Sequence, residues 1–139
     1  MSGGQLTTHV LDMSRGRPAA GVKVQLWRLD GTQPGVLVTE AETNADGRLD
    51  RPLLADGLLE RGVYELLFHI GGYFGGLIDS GGGAGARTAN EDGPAGAQTS
   101  APAQLLEQVP VRFRITDPEA HYHIPLLAAP GGYSTYRGS

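Results

Sequence analysis

The chain holds no cysteine, so its four histidines and its carboxylates are the groups suited to moving a proton at neutral pH. Two histidines stand two apart in His121-Tyr122-His123-Ile124-Pro125-Leu126-Leu127. Tyr122, Ile124 and Leu126 alternate with them, the period-2 pattern of a strand with one apolar face. The apolar set must face the core, because a buried imidazole needs hydrogen-bond partners that nothing local supplies. His121 and His123 therefore project outward. The same alternation over 6–12 sets Thr7, His9 and Leu11 on one face and Leu6, Thr8, Val10 and Asp12 on the other. His9 is thus a second outward imidazole on a terminal strand. Arg48 opens a strand directly after the turn Asn44-Ala45-Asp46-Gly47. The sequence closes on Tyr136-Arg137-Gly138-Ser139, a polar tail read as ordered and covered, since chain ends fray unless tied down.

A single outward histidine reads as a solvated polar side chain. Two of them, with an arginine and a tyrosine-bearing tail, weigh against that reading, and the resemblance described below implies a site. An imidazole has a reference pKa near 6.5 and is mostly neutral, hence basic, at pH 7. His121 shares the face of His123 but starts its strand, and is read as solvated. His69 is read as a partly buried strand residue bonded to a neighbour. Zinc is the alternative, because His121, His123 and His9 would supply three imidazoles and leave one open position. Arg48 and Arg137 beside a dication argue against it, so no metal and no cofactor are expected. Ser134 and Ser139 lack the strand-to-helix elbow of a serine nucleophile. Water activation remains.

The elements that must hold these groups are short strands. After 6–12, strands are expected at 22–29, 36–43, 48–52, 63–70 and 111–115, with 121–127 returning through Pro130-Gly131-Gly132 to 133–138. The 22–29 strand carries Val22, Val24 and Leu26 on one side and the polar Lys23 and Gln25, with Trp27, on the other. Strand 63–70 is partly apolar on both faces and is expected to be central. Gly71-Gly72-Tyr73-Phe74 is expected to break it, with a short helix after. Ten of the 22 glycines lie between Gly71 and Gly96. A stretch of that composition buries too little apolar surface to offset its ordering entropy. A flexible Gly/Ala-rich insertion is therefore expected at about 80–102, as tolerated loop growth or as a lid. The class is all-β, a sandwich in one domain, 1–139.

A net charge of −4 argues against nucleic-acid or anionic-membrane partners, which favour clustered Lys and Arg. No apolar run approaches the roughly 20 residues that span a bilayer. The N-terminal Met1-Ser2-Gly3-Gly4-Gln5 lacks the basic and apolar regions of a secretory signal, so a cytoplasmic location is expected.

Leu6-Thr7-Thr8-His9-Val10-Leu11-Asp12, Asp46-Gly47-Arg48, the His121–Leu127 run and Tyr136-Arg137-Gly138-Ser139 together resemble the 5-hydroxyisourate hydrolase branch of the transthyretin-like family. The resemblance spans nearly the whole chain except the glycine-rich segment. It implies a transthyretin-like sandwich of two antiparallel sheets with one short helix, and hydrolytic ring opening of 5-hydroxyisourate in urate catabolism. It further implies a homotetramer whose outward faces line a shared channel. His123, with His9 close by, would activate water, Arg48 would hold the substrate's carbonyl and anionic edge, and Tyr136, Arg137, Gly138 and Ser139 would complete the pocket. The alternative within the family is a small-ligand binding protein without hydrolase activity, a branch without these histidines and this tail.

Overall fold

The computed structural model describes residues 3–29, 31, 35–80 and 105–139. Among the described residues, ten strands and one helix occur in the order β1 (Gln5–Thr7), β2 (Val10–Asp12), β3 (Arg17–Pro18), β4 (Lys23–Arg28), β5 (Val36–Glu42), β6 (Gly62–His69), α1 (Ile70–Ser80), β7 (Val109–Ile115), β8 (His121–His123), β9 (Leu126–Ala129) and β10 (Gly132–Thr135). The expected all-β sandwich with one helix is observed. One sheet is antiparallel throughout, in the order β5-β4-β6-β7. Its inner face presents Val24 and Leu26 from β4 and Tyr64, Leu66 and Phe68 from β6, all buried. β6 lies inside the sheet, as its two partly apolar faces require.

The other layer holds β10-β9-β2-β3 and the pair β1-β8. Here the expectation of purely antiparallel sheets needs correcting: β1 runs parallel to β8 and β2 parallel to β9. The chain between them passes through the whole opposite sheet, which supplies the long crossover that parallel neighbours need. Leu6 lies opposite Tyr122 and Val10 opposite Leu126, so the two pairs share one register. The ladder is interrupted around His9 and Pro125, where proline has no N–H to give. Thr8 Oγ1 fills part of the gap by donating to Ile124 O at 2.6 Å. The expected continuous strands 6–12 and 121–127 are therefore each divided in two. Leu6, Val10, Leu126 and Ala128 face the opposite sheet and are at most 1% exposed, closing the core.

The strand breaks where expected, β6 ending at His69, but the helix already starts at Ile70 and takes in Gly71 and Gly72. Glycine costs about 1 kcal/mol in a helix, and tertiary anchors outweigh it here. Phe74 is buried, and the Tyr73 hydroxyl donates to Asp12 Oδ2 at 2.7 Å. Asp12 is fully buried and also accepts from Ser14 N and Arg15 N at 2.9 and 3.1 Å. Burial pushes its carboxyl up, but hydrogen bonds from Ser14, Tyr73 and Arg15 more than reverse this, and its pKa is lowered. Asp12→Asn should therefore cost about 2–3 kcal/mol at pH 7 by chemical denaturation. A depressed folded-state pKa contributes stability above the unfolded value, lost as pH falls through the folded one. The gap between wild type and variant should close as pH drops below 3.8, the ordinary value.

The insertion expected at about 80–102, apart from Ser80, lies outside the described residues. Among the described residues no helix is long and apolar enough to cross a membrane.

Candidate active site

The turn at 44–47 delivers Arg48. The Asn44 side chain braces it, Oδ1 accepting from Asp46 N at 2.8 Å and Arg48 N at 3.2 Å. Gly47 has φ +77°, and a Cβ there would fall 2.4 Å from Val10 O, so glycine is required twice over. Val10 N donates to Gly47 O at 2.8 Å and His9 pairs with Arg48 in an antiparallel bridge. A second bridge joins Leu6 to Leu54. Between the bridges the 48–54 segment advances twice as many residues as the strand it faces, so it bows away like a wide bulge. Beside that bow is an open pocket of about 310 Å³, bounded by Thr7, Arg48, Asp50, His121, His123 and Ser139 among others.

The tail closes the far side. β10 pairs with β9 from Gly132 opposite Ala129 to Thr135 opposite Leu126. Regular pairing stops short of the expected 133–138, yet Gly138 still sits in register opposite His123, its N–H donating to His123 O at 2.7 Å. A Cβ on Gly138 would lie 2.7 Å from His123 Cδ2, so only glycine lets the tail pass this close to the ring.

His123 is half-buried, and its pKa is lowered by burial and then by the charges of Arg48, His9 and His121. Its Nδ1 lies 2.9 Å from Thr7 Oγ1. The same hydroxyl is 3.2 Å from His121 Nε2. His9 Nε2 lies 2.8 Å from Asp46 O. A carbonyl only accepts, so Nε2 of His9 carries the hydrogen and Nδ1 keeps the lone pair when the ring is neutral. Among the described residues the exposed Arg48 guanidinium makes no hydrogen bond or ion pair, and it remains available to a ligand.

His123, Arg48 and Ser139 thus share one pocket, with His9 bridged to Arg48 and Gly138 backing His123. Tyr136 and Arg137 do not join them within this chain; they line a separate hollow with Tyr122, Phe113 and Arg114. Arg137 donates to His121 O at 2.9 Å and stacks over the Tyr122 ring at 4.5 Å, a cation–π contact that draws it to the other side of the tail. His69 donates from Nε2 to Gln25 Oε1 at 3.1 Å and accepts from Gln108 at 3.3 Å, the structural role expected of it. No group of three or more His, Cys, Asp or Glu residues placed to hold a metal occurs among the described residues. Sequence reasoning missed Thr7 as a site residue, although its place on the outward face with His9 was a usable signal.

Comparison with known proteins agrees with this fold. The 5-hydroxyisourate hydrolase of Halalkalibacterium halodurans is 49% identical over 138 residues, covering 98% of each chain. The crystal structure of (S)-allantoin synthase superposes with a TM-score of 0.75 at 37% identity, over 99% of this chain but only 44% of that one. The structure of Klebsiella pneumoniae 5-hydroxyisourate hydrolase superposes with a TM-score of 0.65 at 32% identity, over 98% of this chain and 99% of that one. A model described as HIUase/Transthyretin family matches residues 6–138, and with the sandwich and the outward histidine pocket in place the chain belongs to that family.

Proposed function

We propose that this chain hydrolyses 5-hydroxyisourate to 2-oxo-4-hydroxy-4-carboxy-5-ureidoimidazoline. The observation that carries the reading is a histidine sharing one open pocket with an unengaged guanidinium, in a chain 49% identical to a 5-hydroxyisourate hydrolase. The substrate ring is strained and electron-poor, so modest help suffices. His123 takes a proton from water as the oxygen attacks the ring carbonyl, and Arg48 donates to the oxygen that gains charge. The carbon–nitrogen bond then breaks, leaving a carboxylate, and the proton passes to the departing nitrogen. His9, with its lone pair on Nδ1, assists the same water, and Ser139 and Gly138 limit the pocket. Tyr136 and Arg137 contribute from the tail, Arg137 by holding the backbone at His121.

The pocket opens on the outer face of its sheet, and Tyr136 beside it is 59% exposed. A homotetramer, in which outer faces of separate protomers enclose a shared channel, would roof both. Sedimentation velocity at working concentration should give a tetramer; a monomer would remove the enclosed site. The reading also takes 1–139 as one domain, acting in the cytoplasm on a small molecule without a metal. One zinc per subunit by elemental analysis would overturn the metal-independent mechanism.

The test of activity is the ultraviolet absorbance of freshly generated 5-hydroxyisourate with and without the protein. Decay faster than the spontaneous rate is expected. Decay at the spontaneous rate would leave a small-ligand binding protein.

A further inference from the structure

Resting on His123 as the base, we infer that the Thr7 hydroxyl is a positioning group that fixes the His123 tautomer, keeping hydrogen on Nδ1 and Nε2 bare for the attacking water. β1 and β8 place Thr7 directly opposite His123. The Thr7 main chain is pinned on the same strand, its carbonyl accepting from Ile124 N at 3.0 Å. A β-branched side chain has few χ1 choices, so the hydroxyl is delivered to one spot. There it meets two imidazole nitrogens, His123 Nδ1 at 2.9 Å and His121 Nε2 at 3.2 Å.

A hydroxyl has one hydrogen to give. Were it given to His123 Nδ1, that lone pair would be spent, the ring's own hydrogen would sit on Nε2, and neither nitrogen would be basic toward water. Given instead to His121 Nε2, it leaves the oxygen to accept from Nδ1–H of His123. The bond made by one imidazole nitrogen sets the state of the other. His121, exposed at the start of β8, is then the acceptor that orients Thr7. The remaining edge of the ring is fixed as well, because Gly138 packs against Cδ2. Thr7 on one edge and Gly138 on the other leave Nε2 as the only nitrogen of His123 free for chemistry.

The direct test is nitrogen-15 NMR of the full-length protein labelled at histidine, above the His123 pKa. A protonated Nδ1 and an unprotonated Nε2 are expected for His123; the reverse assignment overturns the inference, and needs no variant that might fail to fold. Thr7→Val should lower kcat by roughly 10–100-fold, the range for partners that orient a functional imidazole, with KM little changed and the Nδ1–H preference lost. Thr7→Ser should restore both. An unchanged kcat in Thr7→Val, or a Thr7→Ser as slow as Thr7→Val, contradicts it. The spectrum reads the tautomer whether or not the protein turns over. A failure of His123 as base shows instead as retained activity in His123→Ala.

Discussion

His123→Ala should lower kcat/KM by at least about 100-fold while the protein stays folded, since a positioned general base contributes roughly 10²–10⁴-fold. The ring lies on the outer face of its sheet and is half-buried, so its loss opens no core cavity. Circular dichroism and thermal melting should match wild type. Arg48→Ala should cost a comparable factor through the oxygen it stabilises, with a second signature. Burial and then Arg48 hold the His123 pKa down. Removing the guanidinium should therefore carry the acid limb of kcat/KM to higher pH. A purely structural Arg48 would lower activity, if at all, without moving that limb.

Gly138→Val should approach the loss seen in His123→Ala, at about 100-fold, without touching a reacting group. The first atom of any side chain there would stand 2.7 Å from His123 Cδ2, inside contact distance. Either the tail leaves His123 O, breaking the 2.7 Å bond from Gly138 N, or the ring leaves Thr7. Both displace the imidazole from the geometry that the chemistry requires. Gly132→Ala is the matched control, because a Cβ at Gly132, in the same tail, meets nothing within 4 Å. Steady-state kinetics on the pair separates a positional effect at His123 from general intolerance of the tail.

The two faces of the terminal strands were legible because alternation is a local property: Tyr122, Ile124 and Leu126 are buried and His121 and His123 are not. His69 was legible for the same reason. What was not legible depends on partners far along the chain. Thr7 meets His123 across 116 residues, through a parallel pairing that no local pattern announces. The division of the strand at Pro125 was signalled by the missing N–H, yet its alternation hid the break. α1 begins with Ile70-Gly71-Gly72, poor helix sequence, and is held by Tyr73 on Asp12 and by buried Phe74, both tertiary. Arg137 was expected in the pocket with the rest of its motif. The Tyr122 ring and His121 O give it better company on the other side of the tail.

In the proposed mechanism a neutral imidazole at His123 turns solvent into the nucleophile. The measurement that meets it most directly is the pH dependence of kcat/KM for wild type and His123→Ala on freshly generated 5-hydroxyisourate. Because burial and the neighbouring charges lower the His123 pKa from 6.5, the acid limb of wild-type activity should have its midpoint below that pH, and the limb should vanish with the activity in His123→Ala. An alanine variant that keeps both the rate and the same limb would contradict the account.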